Sequence, residues 1–273
     1  MKNSKTMNIA HRGARSIAPE NTILAAQKAL EIGADMWELD VAMTADGEIV
    51  VLHDDTLERT SNVASVFPDR QPWKIESFTM DELKSLDFGS WFIKADPFGQ
   101  IASGMVTKED QQSFINLPIP TLQNALIFTR DLRWRVNVEI KDLTGAPGNK
   151  DIVEKVVKQI SGLGMEDSVI ISSFNHSYIQ RAKSDLSNIT TAALVEVPDP
   201  DPIALLTRLN AQAYNPNLDT LEISQIEEVT SKGFSVYIWT VNDAATMGKL
   251  INAGVSGLLT DFPHLLKKVI HSQ

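Results

Sequence analysis

Short runs of apolar, β-favouring residues alternate along the chain with stretches whose apolar positions recur at helical spacing. The runs cover residues 7–10, 36–42, 49–52, 134–140, 168–172, 190–195, 213–214, 234–240 and 257–259. This alternation predicts βα units around a parallel sheet or barrel. The first helix is well marked: Asn21 or Thr22 can cap it, Ile23-Leu24-Ala25-Ala26 opens an apolar face, and Gly33 offers a left-handed stop. Later helices are expected over 151–163, 177–185, 202–209, 224–232, 244–253 and 263–270.

Nine strand runs are one too many for an eightfold barrel. Asp46-Gly47, a hairpin turn signal, lies between the second and third runs and leaves no room for a crossover helix. The third run is therefore expected to lie antiparallel to the second, which returns His53 to the side of Glu38 and Asp40. From about residue 54 to residue 117 the rhythm breaks, in a polar stretch that includes Asp87-Phe88-Gly89-Ser90-Trp91-Phe92. An irregular stretch of this length inside a compact domain is usually functional. It is expected as an inserted cap over the site, within one domain spanning residues 1–273.

Composition narrows the class. With 43% hydrophobic and 22% charged residues the chain suits a large α/β domain, and it has no apolar run long enough to span a bilayer. At the amino terminus two lysines run into Ile9-Ala10-His11-Arg12 instead of an apolar stretch, so no secretory leader and a cytoplasmic location are expected. Without cysteine, a bound metal must use oxygen or imidazole ligands, which favours a hard cation. A formal charge of −10 argues against a broad nucleic-acid surface. It does not bar a small phosphate-bearing substrate, because a few local cations can dominate one cleft.

Several residues carry chemistry. In Trp37-Glu38-Leu39-Asp40-Val41 the carboxylates are two apart on a strand and share a face. On a solvated strand that is unremarkable, but apolar flanks imply burial, where the charges need a partner, and a metal is one. Asn137, Glu139 and Lys141 likewise share a strand face. Glu139 and Lys141 are either a structural ion pair or a metal ligand beside a phosphate contact. His11 and His53 each follow a strand, where two such histidines suit a general acid and base. Arg12 offers a planar fork for phosphate oxygens, and Gly13 permits close backbone approach.

Taken in order, His11-Arg12-Gly13, Pro19-Glu20-Asn21-Thr22, Glu38-Leu39-Asp40-Val41, Asp46-Gly47, His53-Asp54, Asp87-Phe88-Gly89-Ser90-Trp91-Phe92, Ile119-Pro120-Thr121-Leu122, Glu139-Ile140-Lys141, Ser172-Ser173-Phe174, Trp239-Thr240-Val241-Asn242 and Gly257-Leu258-Leu259-Thr260-Asp261 resemble the signature elements of the glycerophosphodiester phosphodiesterase family over nearly the whole chain. The resemblance implies a TIM-type (β/α)8 barrel with its site at the C-terminal strand ends. It implies His11 and His53 as catalytic histidines, and Glu38, Asp40 and Glu139 as ligands of Ca2+ or Mg2+. Arg12 and Lys141 correspond to phosphate contacts. Trp239, and more weakly Phe174, correspond to substrate-facing aromatics, although Trp239 equally fits a packed core. The chain departs from the family's pattern in its long stretch 93–116 and in Ser256, where an aspartate is common.

The function these features imply is metal-dependent hydrolysis of a small glycerophosphodiester to glycerol 3-phosphate and an alcohol. The attacking group is water or the substrate's own glycerol hydroxyl. A lysophospholipase D-like activity on monoacylated lipids and a phosphodiester-binding protein without catalysis are the alternatives.

Overall fold

The computed structural model describes residues 6–197 and 199–272. The amino-terminal run on which the leader expectation rests lies largely outside them. Eight parallel strands close a barrel: β1 (Met7–Ala10), β2 (Met36–Met43), β4 (Val136–Ile140), β5 (Val169–Ser173), β6 (Thr190–Val195), β7 (Ala213–Pro216), β8 (Ser235–Ile238) and β9 (Gly257–Thr260). The closing seam is β1 against β9, with Ala10 opposite Thr260, and β1 also pairs with β2. The remaining strand, β3 (Ile49–Val51), runs antiparallel to the end of β2, with Val41 opposite Val51, as the Asp46-Gly47 turn predicts.

Helices α1 (Ile23–Ile32), α2 (Leu122–Asp131), α3 (Ile152–Gly162), α4 (His176–Asp185), α5 (Pro202–Leu209), α6 (Ser224–Ser231), α7 (Ala244–Asn252) and α8 (Pro263–His271) each follow a barrel strand, except α2, which leads back into β4 from the segment after β3. Thr22, not Asn21, caps α1, accepting from the Ala25 amide, and Gly33 ends the helix at φ +87°. The α2 segment was not among the expected helices. Its buried residues Leu122, Ala125, Leu126 and Thr129 follow helical spacing behind a Thr121 cap, so the pattern was present in the sequence.

The barrel interior is layered. Its floor is apolar, built from Ile9, Met36, Ile170, Ala192, Tyr237 and Leu259 among others. Strand periodicity then carries Glu38 and Asp40 up the lumen face from Met36. The β2–β4 register sets Glu38 beside Asn137 and Asp40 beside Glu139, so the carboxylates collect on one face above the floor.

Residues 54–117 form several short helices with a core of their own, in which Leu57, Phe78, Leu83 and Phe88 join Val50 and Leu52 from the β3 end. Phe92, Val106 and Phe114 continue from this segment onto Ala25 of α1. Among the described residues, no helix is long and apolar enough to cross a membrane.

Candidate active site

Strand β1 ends in a tight turn that sets Arg12 and Gly13 at φ +55° and +81°. The turn presses Gly13 against α1: a Cβ there would sit 2.6 Å from the Ala25 backbone. Gly13 thus permits close approach to a helix of the same chain. The turn aims the Arg12 amide at Glu38 Oε2, to which it donates at 2.8 Å.

Glu38, Asp40 and Glu139 offer oxygen atoms that all lie within 4.8 Å of one another. Glu38 and Asp40 are each only 1% exposed. Burial, with repulsion from Asp40 and Glu139, raises the Glu38 pKa well above the usual carboxylate value. Burial and Asp40 also raise that of Glu139, against the pull of Lys141. Burial opposes charge on Asp40 too, yet Arg12, His53, Lys141 and an Asn21 hydrogen bond hold its pKa low. Glu38 Oε1 is buried without a hydrogen-bond partner. A carboxylate set with an unpartnered buried oxygen and mutual repulsion is short of positive charge, and its all-oxygen donors suit a hard divalent cation. The residues therefore fit a metal.

Two cations flank the cluster. Lys141 Nζ donates to Glu139 Oε1 at 2.9 Å and lies 3.8 Å from Asp40 Oδ1. Arg12 donates from Nη1 to Glu20 Oε1 at 2.8 Å, and its Nε lies 3.3 Å from Asp40 Oδ2. Much of the Arg12 fork is thus engaged within the protein. Asn21 donates from Nδ2 to Asp40 Oδ2 at 2.8 Å, which explains why the cap of α1 falls to Thr22.

Both histidines stand at strand ends with Nδ1 against a carboxylate. His11 meets Asp261 Oδ1 at 2.7 Å, and His53 meets Asp54 Oδ1 at 2.7 Å. An aspartate at Nδ1 fixes the ring and leaves Nε2 to exchange protons. Burial and the Arg12 charge pull the His11 pKa below its ordinary value, outweighing Asp261. His11, Arg12, His53, Glu139, Lys141, Phe174 and Trp239 line one cleft of roughly 240 Å³. Phe174 and Trp239 meet edge to face at 5.4 Å, and the Trp239 indole N–H donates to the Asn215 carbonyl. All nine residues singled out in the sequence as candidate site residues thus lie at or around one barrel mouth.

The residues that sequence reasoning left without a role are Asp261, Asp54, Glu20, Arg15 and Arg59, while Asn21 was expected only as a helix cap. Asp261, Asp54, Glu20 and Asn21 lay inside the quoted motifs. Arg15 and Arg59 carried no signal beyond their charge.

The model of the glycerophosphoryl diester phosphodiesterase family matches residues 11–265. A glycerophosphodiester phosphodiesterase of Caldanaerobacter subterraneus is 35% identical over 267 residues, covering 97% of this chain and 98% of the relative. One of Bacillus altitudinis is 31% identical, covering 97% and 98%. Among solved structures, an Oleispira antarctica phosphodiesterase in complex with the product sn-glycerol-3-phosphate superposes with a TM-score of 0.77 at 25% identity, covering 96% of each chain.

Proposed function

The chain belongs to the glycerophosphoryl diester phosphodiesterase family, and from that premise we propose how its residues hydrolyse a glycerophosphodiester to glycerol 3-phosphate and an alcohol. The observation that carries the reading is the pair of aspartate-held imidazoles sharing one cleft with Lys141 and with Glu139, the least buried member of the carboxylate cluster.

Glu38, Asp40 and Glu139 would hold Ca2+ or Mg2+, which when bound supplies positive charge to the phosphate oxygens. Lys141, and the part of Arg12 not engaged by Glu20 and Asp40, offset the remaining charge on the phosphoryl group. His11, kept neutral by burial and by Arg12, takes the proton of the attacking hydroxyl at Nε2. Asp261 then faces the imidazolium that forms, as the buried aspartate does in a catalytic triad. His53, at the more open edge of the cleft, gives its Nε2 proton to the leaving alcohol. Phe174 and Trp239 form an apolar wall for the organic part of the substrate. The segment 54–117 serves as a cap on a single barrel domain.

The test is a substrate panel assayed with calcium, with magnesium and with chelator, coupled to detection of glycerol 3-phosphate. Release of glycerol 3-phosphate that chelator abolishes supports the reading. Its absence with every diester and both metals refutes it. Including monoacylated substrates separates a lysophospholipase D-like preference, which the apolar wall would favour. A binding protein without catalysis would have no use for two oriented imidazoles.

A further inference from the structure

Glu20 is only 6% exposed, and its carboxylate accepts four N–H groups from three arginines. Arg12 Nη1 and Arg59 Nη2 reach Oε1 at 2.8 and 2.7 Å, while Arg15 Nη2 and Arg59 Nη1 each reach Oε2 at 2.9 Å. Four donors saturate the acceptor capacity of a carboxylate.

Each arginine has a second carboxylate. Arg59 donates from Nε to Asp54 Oδ2 at 2.6 Å and from Nη2 to Asp54 Oδ1 at 3.0 Å. Arg15 Nη1 reaches Asp261 Oδ1 at 3.4 Å, and Arg12 Nε stands 3.3 Å from Asp40 Oδ2. Asp54 and Asp261 are the aspartates at Nδ1 of His53 and His11. One carboxylate is therefore a single arginine away from both histidine-orienting aspartates and from one member of the metal cluster. The segment 54–117 supports the arrangement from outside: the Trp91 ring lies 5.8 Å from the Arg59 guanidinium and the Phe98 ring 5.3 Å from that of Arg15.

We propose that Glu20 is a positioning residue of the hydrolysis, holding Arg15 and Arg59 so that Asp261 and Asp54 keep His11 and His53 aligned on opposite sides of the phosphate. This rests on the acid–base reading of the two histidines given above. Stability alone is a weak reason for such a network, because burying ion pairs costs desolvation that well-packed apolar residues would avoid. What bidentate arginine–carboxylate contacts supply is fixed geometry. Burial opposes charge on Glu20, but the Arg59 hydrogen bond with the Arg15 and Arg12 charges holds its pKa far below the usual carboxylate value, so the acceptor stays ionised across the working pH range.

The test compares the metal-loaded wild-type protein with Glu20→Gln, with Glu20→Asp, and with the charge-balanced double variant Glu20→Gln/Arg59→Gln. For each, kcat, KM, Tm and the downfield imidazole N–H proton resonances are recorded, with His53→Ala alongside. Glu20→Gln should lower kcat about 10- to 100-fold, the range seen when a group that orients a catalytic ligand is lost. KM should move little, and both imidazole Nδ1–H resonances should shift. Glu20→Asp should recover part of kcat. The double variant should regain Tm without regaining kcat, and it carries the test if Glu20→Gln alone fails to fold. Recovery of kcat together with Tm in the double variant, or unshifted imidazole resonances in folded Glu20→Gln, would overturn the proposal. Normal kcat in Glu20→Gln beside an inactive His53→Ala overturns the positioning role alone. Normal turnover in His53→Ala overturns the acid–base reading and the positioning role with it.

Discussion

Asp261→Asn isolates the orienting contact on His11 with almost no change in shape. In the wild type, Asp261 Oδ1 stands 2.7 Å from His11 Nδ1, and Asp261 also accepts from Asn242 Nδ2 at 2.8 Å. The Asp261 side chain is 7% exposed, so solvent does little to replace it. When His11 takes up a proton, the bond to Asp261 becomes one between ions. Two unit charges about 4 Å apart at an effective dielectric near 20 interact by about 4 kcal/mol. Asparagine keeps a dipole in place, and Arg15 and Asn242 already draw on the carboxylate, which brings the net loss toward the 1.5–3 kcal/mol typical of a hydrogen bond to a charged group. That corresponds to a fall in kcat of about 10- to 150-fold. The substitution also removes the interaction that raises the His11 pKa, while burial and Arg12 continue to lower it. Because His11 acts unprotonated, the acidic limb of kcat/KM lies below the ordinary histidine value of 6.5 in the wild type and moves further toward acid in the variant. The assay is a pH series of initial rates at saturating metal. A kcat within threefold of wild type, or an acidic limb that moves toward neutral pH, would refute the role given to Asp261.

Three further outcomes are expected. His53→Ala abolishes turnover while Tm stays within a few degrees of wild type, because the ring is partly exposed and its loss leaves no large cavity; near-normal turnover would remove it from the mechanism. Calcium or magnesium at about one hundred times Kd raises wild-type stability by about 2.7 kcal/mol, and Glu139→Gln loses most of that gain at the same concentration; an equal thermal shift in both proteins would show that Glu139 is not a ligand. Glu20 has a depressed folded pKa, so its stabilising contribution is complete above its unfolded value near 4.5 and is lost as pH falls below it. Acid unfolding followed by circular dichroism should accordingly show a steeper loss below that pH in the wild type than in Glu20→Gln.

The alternation of strand runs with helical patterns makes a parallel sheet or barrel of βα units legible, and the family resemblance selects the barrel. The Asp46-Gly47 turn alone folds the segment that ends in His53 back against the strand that carries Glu38 and Asp40. The partner of His11 was harder to see, since Asp261 is 250 residues away along the chain. Barrel closure brings them together: β1 must lie against the last strand, so the residue after β9 is obliged to meet the residue after β1. The arginines around Glu20 had no such signal. Arg15 sits in a turn and Arg59 in a segment without clear period, and only tertiary packing decides which carboxylate a long side chain reaches. Gly13 shows a different limit, because its identity announces a close approach but not the partner, which is α1.

The antiparallel excursion of β3 separates the part of the chain that carries the site from a part free to vary. Glu38, Asp40 and His53 are delivered within one hairpin, and the chain then leaves the barrel, to return only at α2. Of the excursion between, Asp54 and Arg59 are bound to the histidine machinery, while the rest meets the barrel through apolar packing, the Trp91 and Phe98 rings beside Arg59 and Arg15, and an ion pair of Asp110 with Lys28 of α1. The entropy of closing such an excursion grows only with the logarithm of its length, about 0.6 kcal/mol per doubling. Its far part can therefore lengthen or shorten at little cost in chain entropy, while the hairpin that carries Glu38, Asp40 and His53 stays as it is.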